Sequence, residues 1–387
     1  MSIEALRVIC FVGAGNMGCF NAIKAALSGY RVTLYDVSGE NLDQARGRCE
    51  GIAHYLAGIG YCSAESVPAA LERMSSHADL AEAVAEADLV SESVFERLDL
   101  KREVHQQLDV LCPETTILTT NSSYLLPSAI EDVVRRGDRF AAMHSYMGSP
   151  LIDIVGGGRT SSATLELLER YVRSIKAVPL VLNKEYPGYV LNALLGPVLA
   201  TAMHLVVEDR GSFEDVDRAW MLHRAAPMGP FGILDLIGLK LIYDSWQNRL
   251  DEGVIPGLRP RVLSLLAPLV SNNDLGMSTG KGFYQYPAPR YQDPDFKRSG
   301  DDTQQLAQAL ETALLASAVL VAAADVAKRD EIDMAWKVGT SLAEGPFEIL
   351  GEITPAGFIA NVKQHVARVN YDAKKAESVV TYCAAMV

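Results

Sequence analysis

The segment from Val8 to Asp36 constrains the fold more than any other. Val8-Ile-Cys-Phe-Val12 is an apolar run of strand length. Gly13-Ala-Gly15-Asn16-Met17-Gly18 follows, then a helix-like run ending at Gly29, then Val32-Thr-Leu-Tyr-Asp36. A glycine triplet alone says little. Here strand, turn, helix, strand and acid come in the order of a dinucleotide-binding βαβ unit. Glycines 13, 15 and 18 close a tight turn, and backbone N–H groups there, with Asn16 and Met17, can meet a pyrophosphate at a helix N-terminus. Asp36 stands eighteen residues after Gly18, where a carboxylate can take both ribose hydroxyls of an adenosine. Val37-Ser38 follows without an arginine, so a 2′-phosphate would meet an unopposed negative charge. The expected cofactor is NAD rather than NADP.

At 387 residues the chain can bury a sizeable core and is long enough for two or three domains. Its formal net charge of −13 disfavours nucleic acid and anionic membrane as partners, because both repel it at long range. No apolar run reads as long enough to cross a bilayer; Ala313–Ala324 comes closest and suits an alanine-rich core helix. The stretch Met1–Arg7 shows no secretory pattern. Cysteines 10, 19, 49, 62, 112 and 383 lack CxxC spacing and read as reduced thiols of a cytoplasmic protein. The seven histidines show no HExxH or comparable pattern, so no metal is expected.

Strand-like and helix-like segments alternate to about residue 184. Strands are expected at 87–92, 116–120, 139–143, 152–155 and 177–182, with helical character over Glu40–Ser76 and Leu98–Val110. This alternation predicts an α/β, doubly wound, mostly parallel sheet. Pro187-Gly188 ends it, and the remainder reads as helical. That remainder contains a repeat. Asp217-Arg-Ala-Trp220 is matched by Asp333-Met-Ala-Trp336, and Gly229-Pro-Phe-Gly-Ile-Leu234 by Gly345-Pro-Phe-Glu-Ile-Leu350, both 116 residues on. Tyr284–Asp302, rich in Pro, Asp and Arg, joins the copies. The expected domains are 1–184, 185–290 and 291–387, with Trp220 and Trp336 as core aromatics.

Ligands of open α/β sheets sit beyond the carboxyl ends of the strands. Asn121-Ser122-Ser123 falls at one such end and His144 at another, while Glu96 and Lys101 flank the helix after the strand at 87–92. Asn192 lies where the helical region begins, and Lys281 sits between two glycines. Each has a plain structural reading: a satisfied histidine, a helix cap at Ser123 or Asn192, solvated charges at Glu96 and Lys101, turn chemistry at Lys281.

Taken with Ala87-Asp-Leu-Val-x-Glu92, Thr120-Asn-Ser-Ser123, Arg139-Phe-x-x-Met-His144, Pro187-Gly-Tyr-Val-x-Asn192, Pro227-Met-Gly-Pro-Phe231 and Thr279-Gly-Lys-Gly-Phe-Tyr284, the chain resembles the L-3-hydroxyacyl-CoA dehydrogenase family from residue 8 to about 285. Lys184-Glu185 and Val190-Leu-Asn192 also resemble its gulonate and carnitine dehydrogenase branch. The resemblance implies a Rossmann domain followed by tandem all-α domains like the C-terminal domain of 6-phosphogluconate dehydrogenase. It implies His144 as the base that accepts the substrate hydroxyl proton. Ser123 would hydrogen-bond the substrate oxygen, and Asn192 would hold its carbonyl. Glu96, Lys101, Asn121 and Lys281 would contact the cofactor.

The departures from the family pattern are also informative. The family carries a glutamate twelve residues after its histidine, to orient the ring; here that position is Gly156, inside Val155-Gly-Gly-Gly158. Pro150 keeps its place, so no gap restores the acid. Asp153, three residues from Gly156, is expected to face the other way on a regular strand, unless a bulge turns it inward. Met147-Gly148 replaces the family's Asn-Pro. The stretch at 40–75, which helps bind coenzyme A in short family members, offers Arg46, Arg48 and Arg73 but no lysine. Position 308, the repeat's counterpart of Asn192, is glutamine without the Pro-Gly-Tyr motif, so the second copy reads as structural. The expected activity is an NAD-dependent interconversion of a 3-hydroxyacyl compound and its 3-keto form, in fatty acid metabolism. The alternatives are a free 3-hydroxy-acid dehydrogenase and a weakly active NAD(H)-binding protein. The partner is a small-molecule substrate, and the second helical copy permits a monomer or a homodimer.

Overall fold

The computed structural model of the chain describes residues 3–248, 255, 257–298, 303–353, 355–369 and 373–384. The join at 284–302 is therefore described only to residue 298, and the side chain of Cys383 lies outside the described residues. Two compact units divide the chain, Met1–Val190 with Val338–Thr340 and Leu191–Lys337 with Ser341–Val387.

The first unit runs β1 (Val8–Val12), α1 (Asn16–Leu27), β2 (Arg31–Tyr35), α2 (Gly39–Gly58), α3 (Val67–Glu72), β3 (Met74–His77), α4 (Leu80–Val84), β4 (Leu89–Glu92), α5 (Leu98–Leu111), β5 (Ile117–Thr120), β6 (Phe140–Ser145), β7 (Leu151–Gly156), α6 (Ser162–Ser174) and β8 (Val178–Val181). The eight strands form one sheet in the order β3-β2-β1-β4-β5-β6-β7-β8, parallel except for the β6–β7 pair. β1 is buried along its whole length, because helices cover both faces. Its pleat sends Ile9 and Phe11 into a core with Phe20 and Ile23 of α1, and Cys10 and Val12 into a second core with Leu108 of α5 and Leu118 of β5.

Two expectations are corrected here. Residues 40–76 are not helical throughout: the end of the stretch is β3, paired with β2. Its sequence, Met74-Ser-Ser-His77, lacks the apolar alternation of a half-buried strand because it is the sheet edge. The bilayer argument also changes. Gln304–Ala323 is one helix of 20 residues, long and apolar enough to cross a membrane by length and composition. In this fold 72% of its apolar window is buried inside the protein, as a core helix would be.

The second unit is helical: α7 (Leu191–Val207), α8 (Phe213–His223), α9 (Pro230–Ile237), α10 (Leu239–Asn248), α11 (Arg259–Ser271), α12 (Gln304–Ala323), α13 (Arg329–Thr340, its last three residues assigned to the first unit), α14 (Pro346–Glu352), α15 (Pro355–Arg368) and α16 (Ala373–Ala384). The repeated motifs perform the same local task. Asp217 accepts the Phe231 N–H at 2.7 Å and the Gly232 N–H at 3.1 Å, so it holds the first turn of α9. Asp333 accepts the Phe347 N–H at 2.7 Å, at the same point of α14. Gly229 and Gly345 let each aspartate come close; a Cβ at either would lie within about 2.5 Å of the acid. The helix starts keep the 116-residue offset, as α8 at 213 and α13 at 329 show, and Asp209 and Asp325 both have left-handed backbones. α12 packs along α7, and the Trp220 and Trp336 rings meet edge-on at 6.5 Å.

Candidate active site

The strand order reverses at β1, between β2 and β4, the place where a doubly wound sheet opens a crevice. Gly13 takes a positive φ of 108°, and a Cβ there would strike the Ser93 carbonyl oxygen at 2.7 Å. A Cβ at Gly18 would lie 1.7 Å from the Gly13 carbonyl oxygen. Gly15, the residue before α1, faces open space and offers no side-chain cap. The first N–H groups of this twelve-residue helix, beginning with Asn16 and Met17, are thus left for an anion. Asp36 follows β2 and accepts N–H bonds from Ala14 and Ser38, both at 2.8 Å, and from the Asn41 amide at 3.2 Å. Those bonds hold its carboxylate beside the glycine turn. The residues present therefore fit the pyrophosphate and adenosine ribose of a dinucleotide.

At the carboxyl ends of β5 and β6 the structure brings Ser123, just past β5, and His144, still within β6, together, with Ser123 Oγ 2.9 Å from His144 Nε2. His144 is 4% exposed. Ser123 is held by Glu96, whose Oε1 accepts the Ser122 hydroxyl and the N–H groups of Ser123 at 3.1 Å, Tyr124 at 3.0 Å and Leu125 at 3.3 Å. Glu96 in this structure organises the serine loop. Pro187-Gly188-Tyr189 closes over the same place: the Gly188 N–H donates to the Ser123 carbonyl, and the Tyr189 ring lies 5.4 Å from the imidazole. Asn121 Oδ1 accepts the Ser145 N–H at 2.8 Å and tethers the ends of β5 and β6.

Lys101 is not a solvated charge. It is 1% exposed, and its ammonium donates to Glu92 at 2.7 Å and to the Val94 carbonyl at 3.3 Å, with Glu96 at 3.5 Å. Glu92 also accepts from Thr120 Oγ1 at 2.7 Å and from His105 Nε2 at 3.3 Å. Burial pushes the Glu92 carboxyl up, but the His105 hydrogen bond and the Lys101 charge outweigh it and hold it at about 2. Sequence reading missed this buried cluster. The available signal was Lys101, His105 and Leu108 at helical spacing on the buried stripe of α5, since two ionisable groups there require a buried acid.

Asp153 is the main correction at the site. The β6–β7 register pairs His144 with Asp153 and Ala141 with Gly156. Cross-strand partners share a face, so Asp153 lies on the His144 side with no bulge, and Gly156 faces Thr160 and Leu165 on the other side. Asn192 is the second residue of α7, and Lys281 is an exposed cation paired with Asp274 at 2.8 Å; both belong to the second unit. Of the arginines at 40–75, Arg48 bonds the Ala14 carbonyl of the glycine turn and Arg73 bonds the Ala69 carbonyl.

Fold and site together define a dinucleotide-dependent dehydrogenase. The family model described as 3-hydroxyacyl-CoA dehydrogenase, NAD binding domain, matches residues 8–186, and the one for the C-terminal domain matches residues 188–286. The mitochondrial hydroxyacyl-coenzyme A dehydrogenase of Rattus norvegicus is 33% identical over 292 residues, 73% of this chain and 91% of that protein. The 3-hydroxybutyryl-CoA dehydrogenase of Clostridioides difficile is 30% identical, over 72% of this chain and 99% of that one. The chain belongs to the 3-hydroxyacyl-CoA dehydrogenase family, and its cofactor is NAD. Among solved structures, a diketoreductase shares 35% identity with a TM-score of 0.66 over 73% of this chain and 99% of its own. The 3-hydroxybutyryl-CoA dehydrogenase of Escherichia coli K12, at 21% identity, shares the fold over 98% of this chain and 99% of its own with a TM-score of 0.78, which takes in the helices beyond residue 286.

Proposed function

We propose that this chain oxidises the hydroxyl of a 3-hydroxyacyl-CoA to the ketone, and reduces it in reverse, with His144 as proton acceptor. The observation that carries this is the 2.9 Å Ser123–His144 pair, beside a sheet crevice built for a dinucleotide. A substrate oxygen placed within hydrogen-bond reach of both Oγ and Nε2 gives its proton to the imidazole while the serine hydroxyl steadies the oxygen. NAD, when bound at the glycine turn, supplies the two-electron acceptor. Glu96 keeps Ser123 in place, and Lys101 acts through Glu92 and Glu96. Asn121 fixes the ends of β5 and β6 and would contact the cofactor. Asn192 would hold the substrate carbonyl, and Lys281 would contact the cofactor. Gly156 stands in place of the family's glutamate. The relatives favour neither the free-acid nor the weak-activity alternative.

The reading extends to the domains. Residues 185–290 and 291–387 are two copies of one helical unit, supported by the paired aspartate contacts, and the second copy serves packing. A monomer or homodimer working in cytoplasmic fatty acid metabolism fits this arrangement. The test is NADH consumption with acetoacetyl-CoA, followed at the nicotinamide absorbance. His144→Ala is expected to lower the rate by about a thousandfold, in line with general-base catalysis. A wild-type chain that binds NADH but leaves every 3-ketoacyl-CoA unreduced would refute the reading.

A further inference from the structure

We infer that Asp153, fixed by the Tyr146 hydroxyl, is the carboxylate that positions the His144 imidazole, so that the orienting acid is supplied across the β6–β7 ladder. The inference rests on the proposed role of His144 as proton acceptor. Five observations support it. The register puts Asp153 directly opposite His144, on the same face. Asp153 Oδ2 lies 3.9 Å from His144 Nδ1, the nitrogen that does not face Ser123. Asp153 is fully buried, so its charge is poorly screened by water. Among the described residues, His144 Nδ1 and Asp153 Oδ1 have no hydrogen-bond partner, so each has capacity for the other. Finally, Tyr146 donates to Asp153 Oδ2 at 2.5 Å, and its ring meets the imidazole edge-on at 4.4 Å. The tyrosine thus holds acid and ring in one arrangement.

The chemistry follows from the two ring nitrogens. A carboxylate at Nδ1 favours the tautomer with its proton there, which leaves the Nε2 lone pair toward Ser123 and the substrate oxygen. When Nε2 takes the substrate proton, the imidazolium faces a buried negative charge. The 3.9 Å gap exceeds a hydrogen bond, and such contacts commonly close in the substrate complex. The other titratable side chains packed on the ring are Tyr146 and Tyr189. Burial, and then the Asp153 charge, push both hydroxyls well above the ordinary range, so they stay neutral donors. A glutamate at 156 could not do this on the observed backbone, because its side chain would point toward Thr160 and Leu165.

The test uses the full chain with NADH and acetoacetyl-CoA. Asp153→Asn keeps the shape and removes the charge. We expect kcat to fall by about a hundredfold to ten-thousandfold, as when a histidine base loses its orienting acid. KM and NADH affinity should stay within about threefold, since Asp153 touches neither ligand. The acid limb of the pH profile for hydroxyl oxidation should move to lower pH. Tyr146→Phe should lower kcat by about tenfold and move the same limb, and it carries the test if the first variant fails to fold. Unchanged kcat, or a loss of kcat with the acid limb unmoved, overturns the inference. A low-field NMR resonance of the His144 Nδ1 proton in the NADH complex, lost in Asp153→Asn, reads the contact without turnover, and its absence from wild type also overturns the inference. A wild-type enzyme inactive on acetoacetyl-CoA refutes the proposed function instead, and the resonance then still decides the contact.

Discussion

Replacing Lys101 with methionine keeps the stem of the side chain and removes one charge from a pair that water does not reach. Lys101 is 1% exposed and Glu92 is 0% exposed, 2.7 Å apart. The magnitude can be worked from the carboxyl. Its surroundings hold it at about 2 rather than the ordinary 4.5, which corresponds to about 3 kcal/mol of folded-state stabilisation at neutral pH. That figure belongs to all of the carboxyl's partners, His105 included; mutational breaking of a buried pair gives about 3–5 kcal/mol and sets the expected loss for Lys101→Met at about 3 kcal/mol. A loss of about 3 kcal/mol lowers the midpoint of a unit of this size by about 6–12 °C. The pH dependence has a definite sign. Because the folded value is depressed, the contribution is complete above pH 4.5 and fades as pH falls through about 2. The gap between wild type and Lys101→Met in urea melts should therefore narrow from pH 7 to pH 3. Adding Glu92→Gln should recover part of the loss, since the double variant leaves no lone charge buried. A midpoint within 2 °C of wild type, a gap that ignores pH, or strict additivity would refute the reasoning.

Three further substitutions test other parts of the structure. Ser123→Ala should lower kcat by about 10–100-fold, the worth of one hydrogen bond to a charged or developing-charge group, with NADH affinity unchanged by fluorescence titration. Asp36→Ala should weaken NADH by about tenfold and NADPH far less, so the affinity ratio of the two moves toward NADPH; an unchanged ratio would remove Asp36 from the ribose site. Asp217→Ala strands the Phe231 and Gly232 N–H groups and the Tyr284 hydroxyl, and should cost about 3 kcal/mol in urea unfolding. Asp333→Ala, with the Phe347 N–H to lose, should cost about 1 kcal/mol; a larger loss than for Asp217→Ala would refute this accounting.

What could be read from the sequence, and what could not, follows from the range of each constraint. The Val8–Asp36 unit was legible because its glycines answer local backbone demands: a positive φ at Gly13 and a contact at Gly18 that no Cβ allows. The repeated sequence motif was legible for the same reason, since an aspartate and a close-packed glycine make one local contact twice. The edge strand β3 was not, because a strand without a buried face carries no period-two signal. Lys101 resisted reading because its partner lies on another element, and a lysine looks solvated until the acid beneath it is placed.

Asp153 shows where counting along a chain stops being informative. Spacing from Gly156, three residues away on the same strand, says only that the two face opposite ways. What decides the facing is the hairpin register, and residues 146–150 set that register by the length of the turn between β6 and β7. Glycine at 156 and an acid at 153 then cease to be a loss and an accident. On this register a carboxylate at 156 would face Thr160 and Leu165, and one at 153 faces the histidine. A tyrosine two residues past that histidine fixes the acid from the same hairpin. The three residues form one device: changing the turn length by a single residue would turn Asp153 away from His144 while leaving every side chain in the site unaltered.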